Sequence, residues 1–74
     1  MKRKIRFAVK VAGSYIGRYV NLHLRDGSVI INVLVTRVQR GKPSILRYKT
    51  PMKRVSKIPL EEIDFIRTVL YVPI

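Results

Sequence analysis

The sequence predicts a small all-β domain: a strongly bent β-barrel of five or six short strands, with one short helical turn before the last strand. Three observations lead there. Val and Ile fill 19 of the 74 positions, against eight for Ala and Leu together, and branching at Cβ suits pleated strands while costing helix stability. Apolar and polar residues alternate through several stretches, the period of a strand. Glycine and proline, four of each, interrupt those stretches at intervals that suit tight turns. A chain this short buries only about 60% of the surface its unfolded form exposes. It is therefore expected to form one domain over residues 1–74, with residues 1–4 as a basic N-terminal arm.

Each element has its own warrant. From Lys4 to Val11, Ile5, Phe7, Val9 and Val11 alternate with Lys4, Arg6, Ala8 and Lys10, which predicts a first strand with one basic face. Ala12-Gly13-Ser14 and Gly17 break it. Arg18 to Arg25 alternates again, with Val20, Leu22 and Leu24 inward and Tyr19, Asn21, His23 and Arg25 outward. Asp26-Gly27 then predicts a hairpin with a type I′ turn. Ser28 to Val38 is apolar on both faces, as a strand bent across a small core would be. Gly41-Lys42-Pro43 reads as a turn, Ser44 to Tyr48 as a short strand, and Thr50-Pro51 as a break. Lys53 to Ile58 resumes strand character. Pro59 to Ile63 is one helical or 3₁₀ turn, with acids where they complement the helix dipole. Phe65 to Val72 is the closing strand.

The charge carries the functional signal. Sixteen Lys and Arg against four Asp and Glu give a formal net charge of +12, and a surplus this large repels itself in any compact state. A polyanionic partner explains why it is tolerated. Basic residues crowd the start (Lys2, Arg3, Lys4, Arg6, Lys10) and again the segment Arg37, Arg40, Lys42, Arg47, Lys49, Lys53, Arg54 and Lys57, which holds no acid. Arg outnumbers Lys, and its planar fork matches phosphate oxygens and stacks on bases. Tyr15, Tyr19 and Tyr48 lie beside Arg18, Arg47 and Lys49, a juxtaposition suited to base stacking next to phosphate contacts. The candidate nucleic-acid-binding residues are therefore Lys2, Arg3, Lys4, Arg18, Arg37, Arg40, Lys42, Arg47, Tyr48, Lys49, Lys53, Arg54 and Lys57.

Other classes find little material. The chain has one His and no Cys, so neither a Cys-type zinc site nor a cysteine nucleophile is available. Ser14, Ser28, Ser44 and Ser56 lack an evident base. Glu61, Glu62 and Asp64 read as a helix start rather than a metal site, and no Gly-rich phosphate loop is present. No catalytic residue, metal or cofactor is expected, and the chain reads as a binding protein rather than an enzyme. No apolar run reaches the roughly 18 residues of a membrane span, so no membrane partner and a cytoplasmic location are expected. One Gln, two Asn and no Cys give a thermophile-like composition.

The segment Tyr19-Val-Asn-Leu-His-Leu-Arg-Asp-Gly27, followed by Val29 to Val35, resembles the first motif of the Sm-like (Lsm and Hfq) family: an alternating strand, an Asp-Gly turn and a long bent strand. Ile58-Pro-Leu-Glu-Glu-Ile-Asp-Phe-Ile-Arg-Thr-Val69 resembles the second motif, a strand, a 3₁₀ turn and a final strand. Together they cover about half the chain. Asn32 stands where the family's bent strand has a glycine, and an N-terminal strand is expected in place of the family's helix. The Asp, Met-Asn and Ile-Arg-Gly of the family's uridine pocket have no counterpart around Arg37 to Lys42. The resemblance thus implies a small barrel, shared with KOW-type ribosomal modules, and RNA as the partner, but not that pocket.

The leading expectation is an RNA-binding small barrel acting within or on a ribonucleoprotein, ribosome-associated forms included, that binds mainly through phosphates. The alternative is a small chromatin-type protein on duplex DNA. If Ile5 to Val11 covers the edge of the last strand a monomer is expected, and if not a ring; a homo-oligomeric ring is not favoured over a monomer or assembly in a larger complex, because an N-terminal strand replaces the family's helix.

Overall fold

The structure is a computed structural model that describes residues 9–69. A five-residue helix, α1 (Val9–Gly13), precedes strands β1 (Tyr19–Leu24), β2 (Val29–Gln39), β3 (Ile45–Lys49) and β4 (Val55–Pro59). A 3₁₀ turn (Leu60–Glu62) then leads into β5 (Ile63–Thr68). All neighbouring strands are antiparallel, in the order β4-β3-β2-β1-β5. The all-β expectation holds, with α1 and the 3₁₀ turn as its only helical pieces among the described residues.

Among the described residues β4 and β5 are the two edges of this sheet, with no hydrogen-bonded closure into a barrel between them. The sheet is nevertheless curled. Four strand spacings would put the edges of a flat sheet about 19 Å apart. Yet only the three residues of the 3₁₀ turn separate Pro59 from Ile63, and at about 2 Å rise per residue they span roughly 8 Å. The ends of the two edge strands must therefore approach one another. Two backbone bonds pin the turn in place: Leu60 N–H donates to the Ser44 carbonyl, and Arg25 N–H donates to the Glu62 carbonyl.

The curl encloses one apolar core. Val20 and Leu22 of β1, Val33 and Val35 of β2, Leu46 and Tyr48 of β3 and Ile58 of β4 meet Leu60, Ile63 and Ile66 there, with Ala12 of α1 at one end. No polar or charged residue is buried among the described residues. Strand alternation accounts for β1, whose Val20 and Leu22 point inward as expected. β2 changes phase. Ile30 packs against the core, Ile31 is 64% exposed, and Val33 and Val35 are buried. The switch occurs at Asn32, with φ of 55°, where the pairing shifts from Leu22–Ile30 to Val20–Val33. Asn tolerates this left-handed conformation better than other non-glycine residues. The Asn21 side-chain oxygen accepts the Asn32 N–H at 2.8 Å. A single bulge thus lets one strand serve both halves of the core, which is why its sequence is apolar on both faces.

Two local expectations are corrected. Val9 to Val11 is helical rather than the end of a strand; residues 4–8 of that expected strand lie outside the described residues. Val9, Ala12 and Tyr15, spaced by three, all meet the core, while Val11 is 47% exposed. Docking of that stripe outweighs the modest helix cost of two valines. Of the strand expected to cover β5, Val9 to Val11 are thus helical, and residues 5–8 lie outside the described residues. The β1–β2 loop is likewise not type I′, which would need positive φ at both central residues. Gly27 has φ of 95°, but Asp26 is not among the positive-φ residues. Asp26 Oδ1 instead accepts from Ser28 N–H (2.8 Å) and Ser28 Oγ–H (2.6 Å). This Asx turn holds Asp26 and passes the left-handed step to the glycine. The expected continuation of the last strand beyond Val69 also lies outside the described residues.

Candidate nucleic-acid interface

Strand register brings together three cations that lie ten residues apart in sequence. Arg37 of β2 pairs with Arg47 of β3, and Arg47 pairs with Lys57 of β4. A bulge at Thr36 sets this register, since Val35 pairs with Tyr48 but Arg37 with Arg47. Leu46 and Tyr48 are buried, so Arg47 between them points to the outer face, with its paired neighbours alongside. The result is a row of like charges across three strands, at intervals of roughly 4.5–5.5 Å between directly opposed positions.

Such a row is unfavourable in the free protein. Two unit charges 4 Å apart in water repel by about 1 kcal/mol, and like charges directly opposite one another destabilise a sheet. No acid occurs between Asp26 and Glu61, so nothing in this stretch offsets the repulsion. The central cation is also held in place: Arg47 Nε donates to Gln39 Oε1 at 2.8 Å, and Thr36 Oγ1 donates to the Arg47 carbonyl. An oriented guanidinium flanked by two further cations is arranged to receive phosphate oxygens.

The remaining basic candidates surround the row. Lys49, exposed, follows Arg47 on the same face of β3, and Arg40 and Lys42 are exposed in the β2–β3 loop. Lys53 and Arg54 are exposed at the β3–β4 turn, whose geometry repeats that of the β1–β2 turn. In the first, Gly27 N–H donates to Leu24 and Leu24 N–H to Ser28; in the second, Lys53 N–H donates to Thr50 and Thr50 N–H to Arg54. Thr50 Oγ1 accepts the Arg54 N–H, the role Asp26 plays for Ser28. Lys53 therefore occupies the glycine position of this loop, with φ of 65°. A left-handed backbone costs a residue with Cβ roughly 1–2 kcal/mol, and strain of this kind concentrates at binding sites.

Two predicted residues are placed differently. Tyr48 is 7% exposed and belongs to the core, so it presents no ring to a base. Arg18 is exposed and precedes β1, where its carbonyl accepts the Val35 N–H, two residues from Arg37 on the neighbouring strand. Lys2, Arg3 and Lys4 lie outside the described residues. The acids are segregated from the row: Asp26 is in the β1–β2 turn, Glu61 and Glu62 in the 3₁₀ turn, and Asp64 in β5. Asp26 has its pKa held below the usual carboxylate value by the Ser28 hydroxyl and then the Ser28 N–H. Among the described residues, no three His, Asp or Glu side chains gather as a metal site would need, and no helix is long and apolar enough to cross a membrane.

Sequence reasoning missed one feature of the opposite edge. His23 of β1 and Phe65 of β5 pair across the strands and stack, with ring centroids 4.2 Å apart and planes inclined by 12°. The Arg67 guanidinium lies 5.7 Å from the Phe65 centroid. Comparison with family models, with curated proteins and with solved structures gives no match.

Proposed function

We propose that this protein is a nucleic-acid-binding small barrel of the Sm-like kind, binding RNA mainly through phosphate contacts and acting within or on a ribonucleoprotein. The observation that carries the reading is the Arg37–Arg47–Lys57 row, three cations placed side by side by strand register in a stretch that holds no acid between Asp26 and Glu61. A bound phosphate backbone relieves that repulsion and releases counterions, a gain that grows with the number of phosphates neutralised.

Three features support the Sm-like form of the proposal. A helix precedes β1, Asn32 takes a left-handed conformation where the family has a glycine, and a 3₁₀ turn joins β4 to β5. Among the described residues β4 and β5 each have a strand neighbour on one side only, and open edges, as templates for pairing with another chain, favour action in a larger assembly.

RNA is preferred to duplex DNA on the strength of the resemblance and of the exposed Tyr19 and Phe65 rings, which a fully paired duplex leaves idle. The test is a competition at one salt concentration among single-stranded RNA, structured RNA and duplex DNA. The reading requires an RNA to win. Preferential capture by duplex DNA would replace it with the chromatin-type alternative, and absence of binding to all three would end it.

A further inference from the structure

We infer that the outer face of β1 and β5 is a stacking site for an unpaired base, built from Phe65, His23 and Arg67. The inference rests on the nucleic-acid reading above and adds a partner class to it: single-stranded segments with accessible bases. Leu22 and Ile66 are buried, so their chain neighbours His23, Phe65 and Arg67 take the outward phase. The pairing His23–Phe65, with Asn21–Arg67 next to it, places the two rings and the guanidinium on adjacent cross-strand positions.

The geometry is that of a platform rather than of a packed core. The rings lie nearly parallel at 4.2 Å, and Phe65 remains 39% exposed. On the other side of His23, β2 contributes Val29, also partly exposed. His23 takes one face of Phe65 and the Arg67 guanidinium lies over the ring, 5.7 Å from its centroid, so a base, which always has a flat face to offer, extends the series once Arg67 swings aside. Arg67 adds a cation that can stack on the base or meet its phosphate. The one acid beside them, Asp64, is the extra residue that separates Ile63 from Phe65 at the register shift. A protein partner could also use an aromatic and an arginine; the +12 charge of the chain favours the polyanion.

The test compares two labelled decamers of equal charge, an oligoadenylate and an abasic ribose-phosphate chain, by fluorescence anisotropy at one salt concentration. The wild-type protein is expected to bind the oligoadenylate at least about fivefold more tightly than the abasic chain. Phe65→Leu, which keeps an apolar side chain, should abolish that preference while leaving abasic binding unchanged, and Phe65→Tyr should retain it. Thermal melts establish that each variant is folded, and Arg67→Gln, exposed and outside the core, should weaken the preference if Phe65→Leu does not fold. Equal affinity of wild type for the two decamers would overturn the stacking site and leave the phosphate reading standing. Failure to bind either decamer would overturn both.

Discussion

Replacing Lys53 with glycine separates stability from binding at one position. Lys53 takes the left-handed step in a turn that repeats the hydrogen bonds of the Gly27 turn. That conformation costs a residue with Cβ roughly 1–2 kcal/mol, and glycine gives back about 0.5–1 kcal/mol through its larger unfolded-state entropy. Lys53→Gly should therefore stabilise the fold by about 0.75 kcal/mol, the difference between the midpoints of those two ranges. For a domain of this size that is a rise of roughly 3–6 °C in melting temperature. The same variant removes one cation from the candidate interface, so the slope of log affinity against log salt should become shallower by about 0.7–0.9. Gly27→Ala is the reciprocal control and should lose about 1 kcal/mol. Melts followed by circular dichroism and titrations with labelled single-stranded RNA supply both readouts. A variant that melts no higher than wild type refutes the assignment of strain to Lys53. One that melts higher but binds with an unchanged salt slope refutes the idea that the lysine is kept for binding.

Three further outcomes follow from the same geometry. Asn32→Ala should cost about 1 kcal/mol more than Asn32→Gly in denaturant unfolding, because alanine resists the left-handed φ of 55° at the β2 bulge. Ser28→Ala should raise the Asp26 pKa toward its ordinary 3.8, as read by NMR titration. The sign follows from the depression: the contribution of Asp26 to stability is present above its unfolded pKa and is lost as pH falls through the folded one, so the variant should differ in pH dependence only in acid. Reversing Arg40, Lys42, Lys49 and Lys53 to Glu, all exposed, should leave a folded protein whose RNA affinity is at least tenfold weaker, about 1.4 kcal/mol. Reversing Lys2, Arg3 and Lys4 under identical salt should cost less.

What was legible in the sequence is what local physics decides. The alternation of β1, the hairpin at Asp26-Gly27, the long bent β2 and the turn after Pro59 each depend on a few consecutive residues, and each is where the sequence placed it. Val9 to Val11 was misread because the alternation that begins at Lys4 runs on through both valines, whereas the helix there is decided by docking of Ala12 against the core. Tyr48 was misassigned because a five-residue strand between two turns does not announce which phase faces the core. The basic segment from Arg37 to Lys57 was visible as composition, but its organisation was not. Register is a non-local property set by bulges, and it is the shift at Thr36 that lines up Arg37, Arg47 and Lys57. The His23–Phe65 stack joins residues from the second and last strands of the expected order, a pairing that no local pattern predicts.

The most direct test of the central claim is RNA affinity measured between about 50 and 300 mM salt, the range in which counterion release acts, for wild type and for the triple variant Arg37→Gln, Arg47→Gln, Lys57→Gln. Neutralisation of roughly four to eight phosphates predicts a log–log slope of about −3 to −6 for a single strand. Removing the row should make that slope shallower by about 2, three phosphates at 0.7 each, with the fold retained because all three side chains lie outside the core. A flat salt dependence in the wild type, or a triple variant whose slope and affinity match it, would contradict the account.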